Sequence, residues 1–172
     1  GVFAEAHRSG LVATQIVRVA GIYGPERGHL FQQFLAGLAR RDPGQGRWIN
    51  MIHRDDVASA LEAVMLHGEA GQTYNAVDDE PVLQGEFLRF LATETGLPLP
   101  PLAESAEPTG TISVRKRGTT HKRVSNRRLS EELGWKPQFP SYREGCAADI
   151  AACVAHPGAV WPSGADRPMM GP

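Results

Sequence analysis

An arginine in the stretch 18–27 could bind an anionic ligand. This stretch follows the apolar, β-branched run 12–17, and Arg27 comes after two glycines and a proline that end the run. A guanidinium group can hold a carboxylate or a phosphate through two parallel hydrogen bonds. Ligands of open α/β sheets lie beyond the carboxyl ends of the strands, where this stretch falls. A solvated arginine in a turn without a ligand is equally compatible with the spacing.

A histidine and two carboxylates stand together at 53–56 and could transfer protons or hold a metal. His53 could reach a substrate, or it could bind backbone and pin a strand to the next helix, which we favour. Asp55 or Asp56 is placed to cap that helix through a side-chain oxygen. The sequence offers no third ligand at metal-binding spacing, so we predict no metal site.

The segment 115–128 is the strongest electrostatic feature of the chain. A basic segment can form an anion-binding cradle, bind nucleic acid, or form a solvated loop. This one has no aromatic side chain to stack on bases, and the chain has a net charge of -1, so nucleic acid and membranes are not expected partners. Its cations are Arg115, Lys116, Arg117, Lys122, Arg123, Arg127 and Arg128.

The two cysteines indicate a reducing compartment. Cys146 and Cys153 fall seven residues apart in one predicted helix, hence roughly 10 Å apart, which is too far for a disulfide. Two unpaired thiols are typical of cytoplasmic proteins. No apolar run approaches the ~20 residues of a membrane span, and the start of the chain has no secretory signal pattern.

Strands and helices alternate along the chain, which predicts an α/β fold. We expect a strand buried on both faces at 12–17, with a loop from Gly21 onwards, and further strands at 46–52, 72–77 and 111–114. Helical spacing predicts helices at 2–6, from about 29 to 41, at 57–67, around 87–95, after 125–126 and at 141–155. We expect Gly96 and Gly134 to end the fourth and fifth of these helices, and the spacing of Ser141 from Glu144 is that of a capping box at the start of the sixth. The tail 157–172 is rich in glycine and proline and is expected to be a disordered terminus.

Four motifs in this order carry a resemblance to a known family. They are the stretch 18–25, the stretch 52–58, Tyr74-Asn75-Ala76, and 128–137 with its Leu-Gly-Trp-Lys-Pro end. Residues 3–153 resemble the C-terminal half of an extended short-chain dehydrogenase/reductase, of the NAD-dependent epimerase/dehydratase family. The segment 139–145 resembles an atypical branch of that family.

The resemblance implies the C-terminal part of a doubly wound (Rossmann-type) parallel sheet plus a small substrate-binding lobe. Residues 1–80 would be the C-terminal part of the Rossmann-type domain with inserted lobe elements. Residues 81–156 would belong mainly to the substrate-binding lobe. A homodimer is left open.

The resemblance also implies which residues would face the ligands. The nicotinamide of NAD or NADP would lie beside Val19, Ala20, Gly21 and Ile22. The substrate, which could be phosphorylated or nucleotide-linked, would contact Tyr23, Arg27, His53 and Arg123. Many nucleotide-sugar enzymes of the family carry asparagine where Gly21 stands here, which puts a nucleotide-sugar substrate in doubt.

The family's cofactor and catalytic motifs do not occur in this sequence. There is no glycine-rich turn of the G-x-x-G-x-x-G or G-x-G-x-x-G type, and none of the three tyrosines is followed four residues later by lysine. We therefore assign no catalytic residue and expect the missing parts upstream of Gly1. The intact parent would transfer a hydride at a carbinol carbon of a sugar-like or small polar substrate.

We expect this chain by itself to bind NAD(P) weakly or not at all and to be inactive. Two other functions stay open on the sequence alone. The chain could instead be a non-catalytic module that binds an anion or a nucleotide. The third hypothesis is nucleic-acid binding through 115–128.

Overall fold

The computed structural model describes residues 5, 9–10, 13–25, 27–103 and 121–156. Strands and helices alternate through this part of the chain, as predicted. In order, the elements are β1 (Ile16–Val19), β2 (Gly21–Tyr23), α1 (His29–Leu35), β3 (Trp48–Ile49), β4 (Met51–His53), α2 (Arg54–His67), β5 (Thr73–Ala76), β6 (Val82–Leu83), α3 (Gln84–Thr95), α4 (Arg127–Leu133) and α5 (Tyr142–Ala155).

The chain divides into two compact units, each built from separated segments. Unit 1 takes Gly1–Ile22, Asn50–Pro81 and Arg123–Gly145. Unit 2 takes Tyr23–Ile49, Val82–Lys122 and Cys146–Pro172.

Unit 1 is organised around a pair of parallel strands. β1 and β5 pair in register, from Ile16 opposite Thr73 to Val19 opposite Ala76. Parallel neighbours need a long crossover connection, and α2, which lies between them in sequence, packs on both strands. This confirms the predicted α/β class with a parallel sheet.

One hydrophobic cluster holds unit 1 together. Trp135 is buried in it, and its indole N–H donates to Ser59 Oγ over 3.0 Å. The hydrogen bond satisfies the one polar atom that this large side chain takes out of water. The buried members of the cluster are Ile52, Ala60, Val64, Tyr74, Ala76, Leu129 and Trp135.

Unit 2 contains an antiparallel pair and two helices. β3 pairs with β6, with Trp48 opposite Leu83, and α1 packs on α3. Gln84 is buried at the start of α3 with both ends of its amide in use. Its Oε1 accepts from the Asp42 N–H over 3.0 Å, and its Nε2 donates to the Arg40 carbonyl over 2.7 Å. The side chain thereby ties α3 to the segment that follows α1.

The first predicted strand was misplaced and its burial was wrong. Of the predicted strand 12–17, the described residues 13–15 are not in a strand; the strand runs from Ile16 to Val19, and Ile16 and Val19 are 37% and 39% exposed. Within the described residues β5 is the one partner of β1, so the other edge of β1 faces no strand. The loop expected from Gly21 is also wrong, because Gly21–Tyr23 forms β2 and pairs with β4.

Two further boundaries differ from the prediction. α1 ends at Leu35 and not at residue 41, because the N–H groups of Leu38 and Ala39 both turn back to the Gln33 carbonyl. The strand predicted at 46–52 is split at Asn50 into β3 and β4, which pair with different partners. Apolar alternation continues across such a split and does not reveal it.

The ends of the later helices were predicted correctly. α3 and α4 stop at Gly96 and Gly134, which adopt left-handed φ angles of 69° and 66°. The Ser141 hydroxyl accepts from the Arg143 N–H at the start of α5, as its capping box predicted. The predicted helix at 2–6, apart from Glu5, the strand at 111–114 and the tail 157–172 lie outside the described residues.

Candidate functional site

The predicted cofactor-facing residues lie at the carboxyl end of β1. Val19 ends β1, Gly21 and Ile22 belong to β2, and the side chains of Val19 and Ile22 are both more than a third exposed. The Ala20 N–H donates to the Ala76 carbonyl over 3.0 Å, which continues the pairing of β1 with β5. Val19, Ala20 and Ile22 therefore offer apolar contact area at this end of the sheet, whereas nicotinamide contact stays a prediction.

Gly21 is a glycine because another main chain approaches it closely. Its N–H donates to the Asn50 carbonyl over 3.1 Å. A Cβ atom added at Gly21 would stand 3.3 Å from that same oxygen, so a larger residue would need the neighbouring strand to move. The asparagine that many nucleotide-sugar enzymes carry here does not fit this backbone without such a shift.

Asn50 joins the predicted cofactor and substrate segments, and sequence reasoning missed it. Its carbonyl accepts from Gly21, and its side-chain Oδ1 accepts from the Val124 N–H over 2.7 Å. Arg123 is exposed and directly precedes Val124. One residue thus fixes the backbone of both segments at the same corner of unit 1. No sequence pattern marks Asn50, because its role depends on residues 29 and 74 positions away.

Tyr23 and Arg27 differ in their exposure to solvent. A tight turn closes with the Arg27 N–H donating to the Gly24 carbonyl over 2.8 Å. Arg27 is exposed on this turn, whereas Tyr23 is buried, with 3% of its surface exposed. Arg27 is therefore accessible to a ligand, and Tyr23 is covered. Substrate contact by either residue stays a prediction.

His53 is the N-cap of α2, a role that we predicted for Asp55 or Asp56. Its Nδ1 accepts from the Asp55 N–H over 3.3 Å, and its ring lies 3.9 Å from the Phe139 ring between centroids. Burial lowers the pKa of His53, although the carboxylates of Asp55 and Asp56 oppose this effect. A neutral ring that accepts at Nδ1 carries its proton on Nε2. This geometry provides the backbone-pinning role that we favoured, and substrate contact stays a prediction.

Asp56 anchors the loop before α5 instead of capping α2. Its side chain is buried, and its two carboxylate oxygens accept from the backbone N–H groups of Gln138 and Phe139, over 2.7 and 3.0 Å. Asp55 is exposed and pairs with Arg54 over 3.2 Å. The two adjacent carboxylates therefore bind different partners and do not form an acid–base pair.

Asp78 is a buried carboxyl group that the sequence did not single out. It is 1% exposed, and neither of its side-chain oxygens has a hydrogen-bond partner in the described part of the chain. Burial raises the pKa of Asp78 to about 8, helped by the nearby Asp79, Glu80 and Asp56, while the Glu80 N–H opposes the rise. The sequence Asp-Asp-Glu-Pro is typical of a surface turn, so it carries no sign of this burial.

Three segments of unit 1 meet at residues 77–80. The buried Asn126 donates from Nδ2 to the Val77 carbonyl over 3.0 Å and to Asp79 Oδ1 over 2.6 Å. The Asp79 N–H donates to the Pro140 carbonyl over 2.9 Å. Arg143, in the first turn of α5, forms an ion pair with Glu80. These contacts hold the loop after β5 against the starts of α4 and α5.

Two cations of the basic segment are paired within α4. Arg127 binds Glu131, and Arg128 binds Glu132, each over 3.0 Å and at the i, i+4 spacing. Arg115, Lys116 and Arg117 lie outside the described residues. The described ranges contain no group of three residues that could hold a metal ion. They also contain no helix with the length and apolar character needed to cross a bilayer.

Comparison with known proteins finds relatives in sequence and in fold. No protein-family model matches it. It is 30% identical over 142 residues to a 3-diazoavenalumate denitrifying reductase from Streptomyces sp, covering 78% of this chain and 46% of that protein.

Solved structures match most of the chain. A conserved protein of unknown function from Silicibacter pomeroyi has 34% identity and a TM-score of 0.68 over 86% of this chain and 51% of its own. DesIV, a dTDP-glucose 4,6-dehydratase from Streptomyces venezuelae solved with NAD and TYD bound, has 20% identity and a TM-score of 0.71 over 90% of this chain and 48% of its own. The chain spans about half the length of the relatives that it matches.

Proposed function

We propose that this chain, which has the fold of the C-terminal half of an extended short-chain dehydrogenase/reductase, forms the substrate-facing half of such an enzyme. The reaction would be an NAD(P)-dependent oxidation, epimerisation or dehydration at a carbinol carbon of a sugar-like or small polar substrate. DesIV carries NAD in its structure, and the Streptomyces relative is a reductase. Both support a nicotinamide cofactor for the whole protein.

The corner built by Asn50 is the observation that carries this proposal. It brings the apolar end of β1, with Val19 and Ile22, to the segment that presents Arg123. An apolar surface suits the flat face of a nicotinamide ring, and a guanidinium group suits a phosphate or carboxylate on the substrate. The carboxyl end of a parallel strand is also where open α/β sheets bind their ligands.

The chain's own residues fit only one side of a nicotinamide nucleotide. Val19, Ala20 and Ile22 could cover the ring, but the sequence has no glycine-rich turn to receive the pyrophosphate. A bound nicotinamide would accept or return the hydride. In this chain Arg123 would orient an anionic group of the substrate, and the side chains at the end of β1 would keep water from the reacting carbon.

Nucleotide binding tests the proposal. The chain alone should show no micromolar affinity for NAD⁺ or NADP⁺ by calorimetry. Joined in frame behind the N-terminal half of the Streptomyces relative, it should bind one of the two at micromolar concentration, whereas that N-terminal half alone should bind more weakly. Micromolar binding by the isolated chain, or a folded fusion that binds neither nucleotide, would contradict the proposal.

The role of Arg123 has its own test in that fusion saturated with the nucleotide that it binds, with inorganic pyrophosphate as the anionic probe. Arg123→Ala should weaken pyrophosphate binding about tenfold, the loss expected for one charge-assisted hydrogen bond. Arg127→Ala is the matched control, because Arg127 is an exposed arginine of the same segment that pairs with Glu131 within α4. Equal affinities of the two variants for pyrophosphate would show that Arg123 does not bind the anion.

A further inference from the structure

Asp78 is buried, and its carboxyl group has no hydrogen-bond partner among the residues that the structure describes. It directly follows β5 and Val77, and its backbone N–H donates to the Met51 carbonyl over 2.8 Å, which draws the residue into unit 1 beside β4. Neither side-chain oxygen has a hydrogen-bond partner in the described ranges. An ionised carboxylate without partners is among the most costly groups to bury, whereas a protonated one is far less so.

The charged groups around Asp78 favour the protonated form. On its own loop stand Asp79 and Glu80, and Asp56 faces it from α2; all three are acidic and disfavour a further negative charge. On β4 the titratable side chain is His53, whose own burial favours its neutral form.

The cation on the neighbouring turn is directed elsewhere. Arg143 of α5 pairs with Glu80 and lies over the Tyr142 ring, 4.4 Å from its centroid. The Glu80 N–H lies close enough to offset part of the cost of a charge on Asp78, but it makes no hydrogen bond of normal geometry with it.

We propose that the Asp78 carboxyl group keeps its proton in the folded chain at neutral pH, and that loss of this proton loosens the loop 77–81 from the turn at 140–143. The loop would then be a pH-sensitive element. This inference is independent of the proposed enzymatic function, because it rests only on burial and contacts within unit 1.

The direction of the pH effect follows from the two pKa values. Burial raises the pKa of Asp78 from 3.8 to about 8 on folding. Below the lower value the group is protonated in both states and contributes no pH dependence. Between the two values the folded chain holds a proton that the unfolded chain has lost, so stability falls as pH rises. Above the higher value the group is ionised in both states, and the fall ends.

The contacts next to Asp78 are those that its ionisation would disturb. The Asp79 N–H donates to the Pro140 carbonyl, and Asp79 Oδ1 receives the amide of Asn126. A charge on Asp78 must draw in water or turn outward, and either movement displaces the adjacent Asp79. We therefore expect the Asp79 amide to lose protection against hydrogen exchange when Asp78 ionises.

Equilibrium unfolding at several pH values tests the inference on the full chain. The comparison is between wild type and Asp78→Asn, which has the same shape and cannot ionise. The ratio of the wild-type unfolding constant to that of the variant should rise about tenfold per pH unit between pH ~4 and ~8 and then level off. The control is Glu94→Gln, which removes an exposed carboxylate. The ratio of the wild-type unfolding constant to that of Glu94→Gln should show no such rise.

Two direct readings complete the test. The carboxyl carbon of Asp78 should titrate by NMR with a midpoint near 8, and the Asp79 amide should exchange faster at pH 9 in wild type than in Asp78→Asn at the same pH. A midpoint below 6, or wild-type and variant stabilities that run parallel from pH 5 to 8, would overturn the inference.

Discussion

Asp55 and Asp56 are neighbours in the sequence but lie in opposite surroundings. Asp56 is buried and serves two backbone N–H groups, whereas Asp55 is exposed beside Arg54. Asp56→Asn places an amide NH₂ against one of those N–H donors, so it should destabilise the fold by about 2–4 kcal/mol. Asp55→Asn should stay within about 0.5 kcal/mol of wild type. Urea unfolding of the two variants measures the difference, and equal losses would contradict the assigned contacts.

The buried His53 makes a contribution to stability that is lost in acid. Burial lowers its pKa in the folded chain below the ordinary value of 6.5. As the pH falls below 6.5, the unfolded chain takes up a proton before the folded chain does, so stability falls with decreasing pH. NMR titration should give His53 a midpoint below 6.5. The ratio of the wild-type unfolding constant to that of His53→Gln should rise as the pH falls below 6.5, and this ratio separates the effect of His53 from that of Asp78, which both proteins retain.

At the scale of single elements, two glycines make a matched pair. Gly134 ends α4 with a left-handed φ of 66°, so Gly134→Ala should cost about 1 kcal/mol. Gly85 lies in the first turn of α3 with open space where a Cβ would stand, so Gly85→Ala should stabilise by up to about 1 kcal/mol. Thermal unfolding followed by circular dichroism distinguishes the two signs. Equal effects of the two substitutions on stability would mean that the left-handed φ at Gly134 does not disfavour alanine at that position.

The junction at Asn50 gives a second prediction at this scale. Asn50→Ala leaves the Val124 N–H without its acceptor and should cost about 1–3 kcal/mol. Asn50→Asp keeps an oxygen in that place and should cost less. The same measurement of urea unfolding applies, and amide exchange at Val124 locates the change. An alanine variant as stable as the aspartate variant would show that this bond does not hold the segment.

Signals that act within a few residues were predictable from the sequence. Gly96 and Gly134 end their helices because glycine is favoured at a left-handed position. Ser141 opens α5 through the capping box that its spacing from Glu144 predicts.

Roles that depend on distant residues were not predictable. His53 took the capping role expected of a neighbouring aspartate, since it is held between the end of β4 and the Phe139 ring. Asn50 and Asp78 acquire their roles from segments far along the chain. An apolar run likewise does not tell whether a strand is flanked on one edge or on both, so the burial of β1 was overestimated.

For the whole molecule, the open edge of β1 predicts self-association. Ile16 and Val19 are more than a third exposed beside a strand edge that faces no partner among the described residues. Such an edge is a template for pairing with another chain. The isolated chain should form oligomers as its concentration rises, measured by light scattering. Val19→Lys should reduce them, whereas Leu38→Lys, which also replaces an exposed aliphatic residue by lysine but in unit 2, should not.

Joining the upstream half of the Streptomyces relative should suppress the same association, because its strands would cover the edge. Oligomers that persist unchanged in the fusion would mean that β1 is not where the sheet continues.

The burial of Trp135 also gives unit 1 an internal optical reporter. Its indole is packed in the core and bonded to Ser59, while Trp48 lies in unit 2 and is only partly covered. Variants that keep one of these two tryptophans as the sole fluorophore would follow the melting of each unit separately. Emission from Trp135 would shift to longer wavelength when the cluster around α2 opens, whatever happens to the other unit.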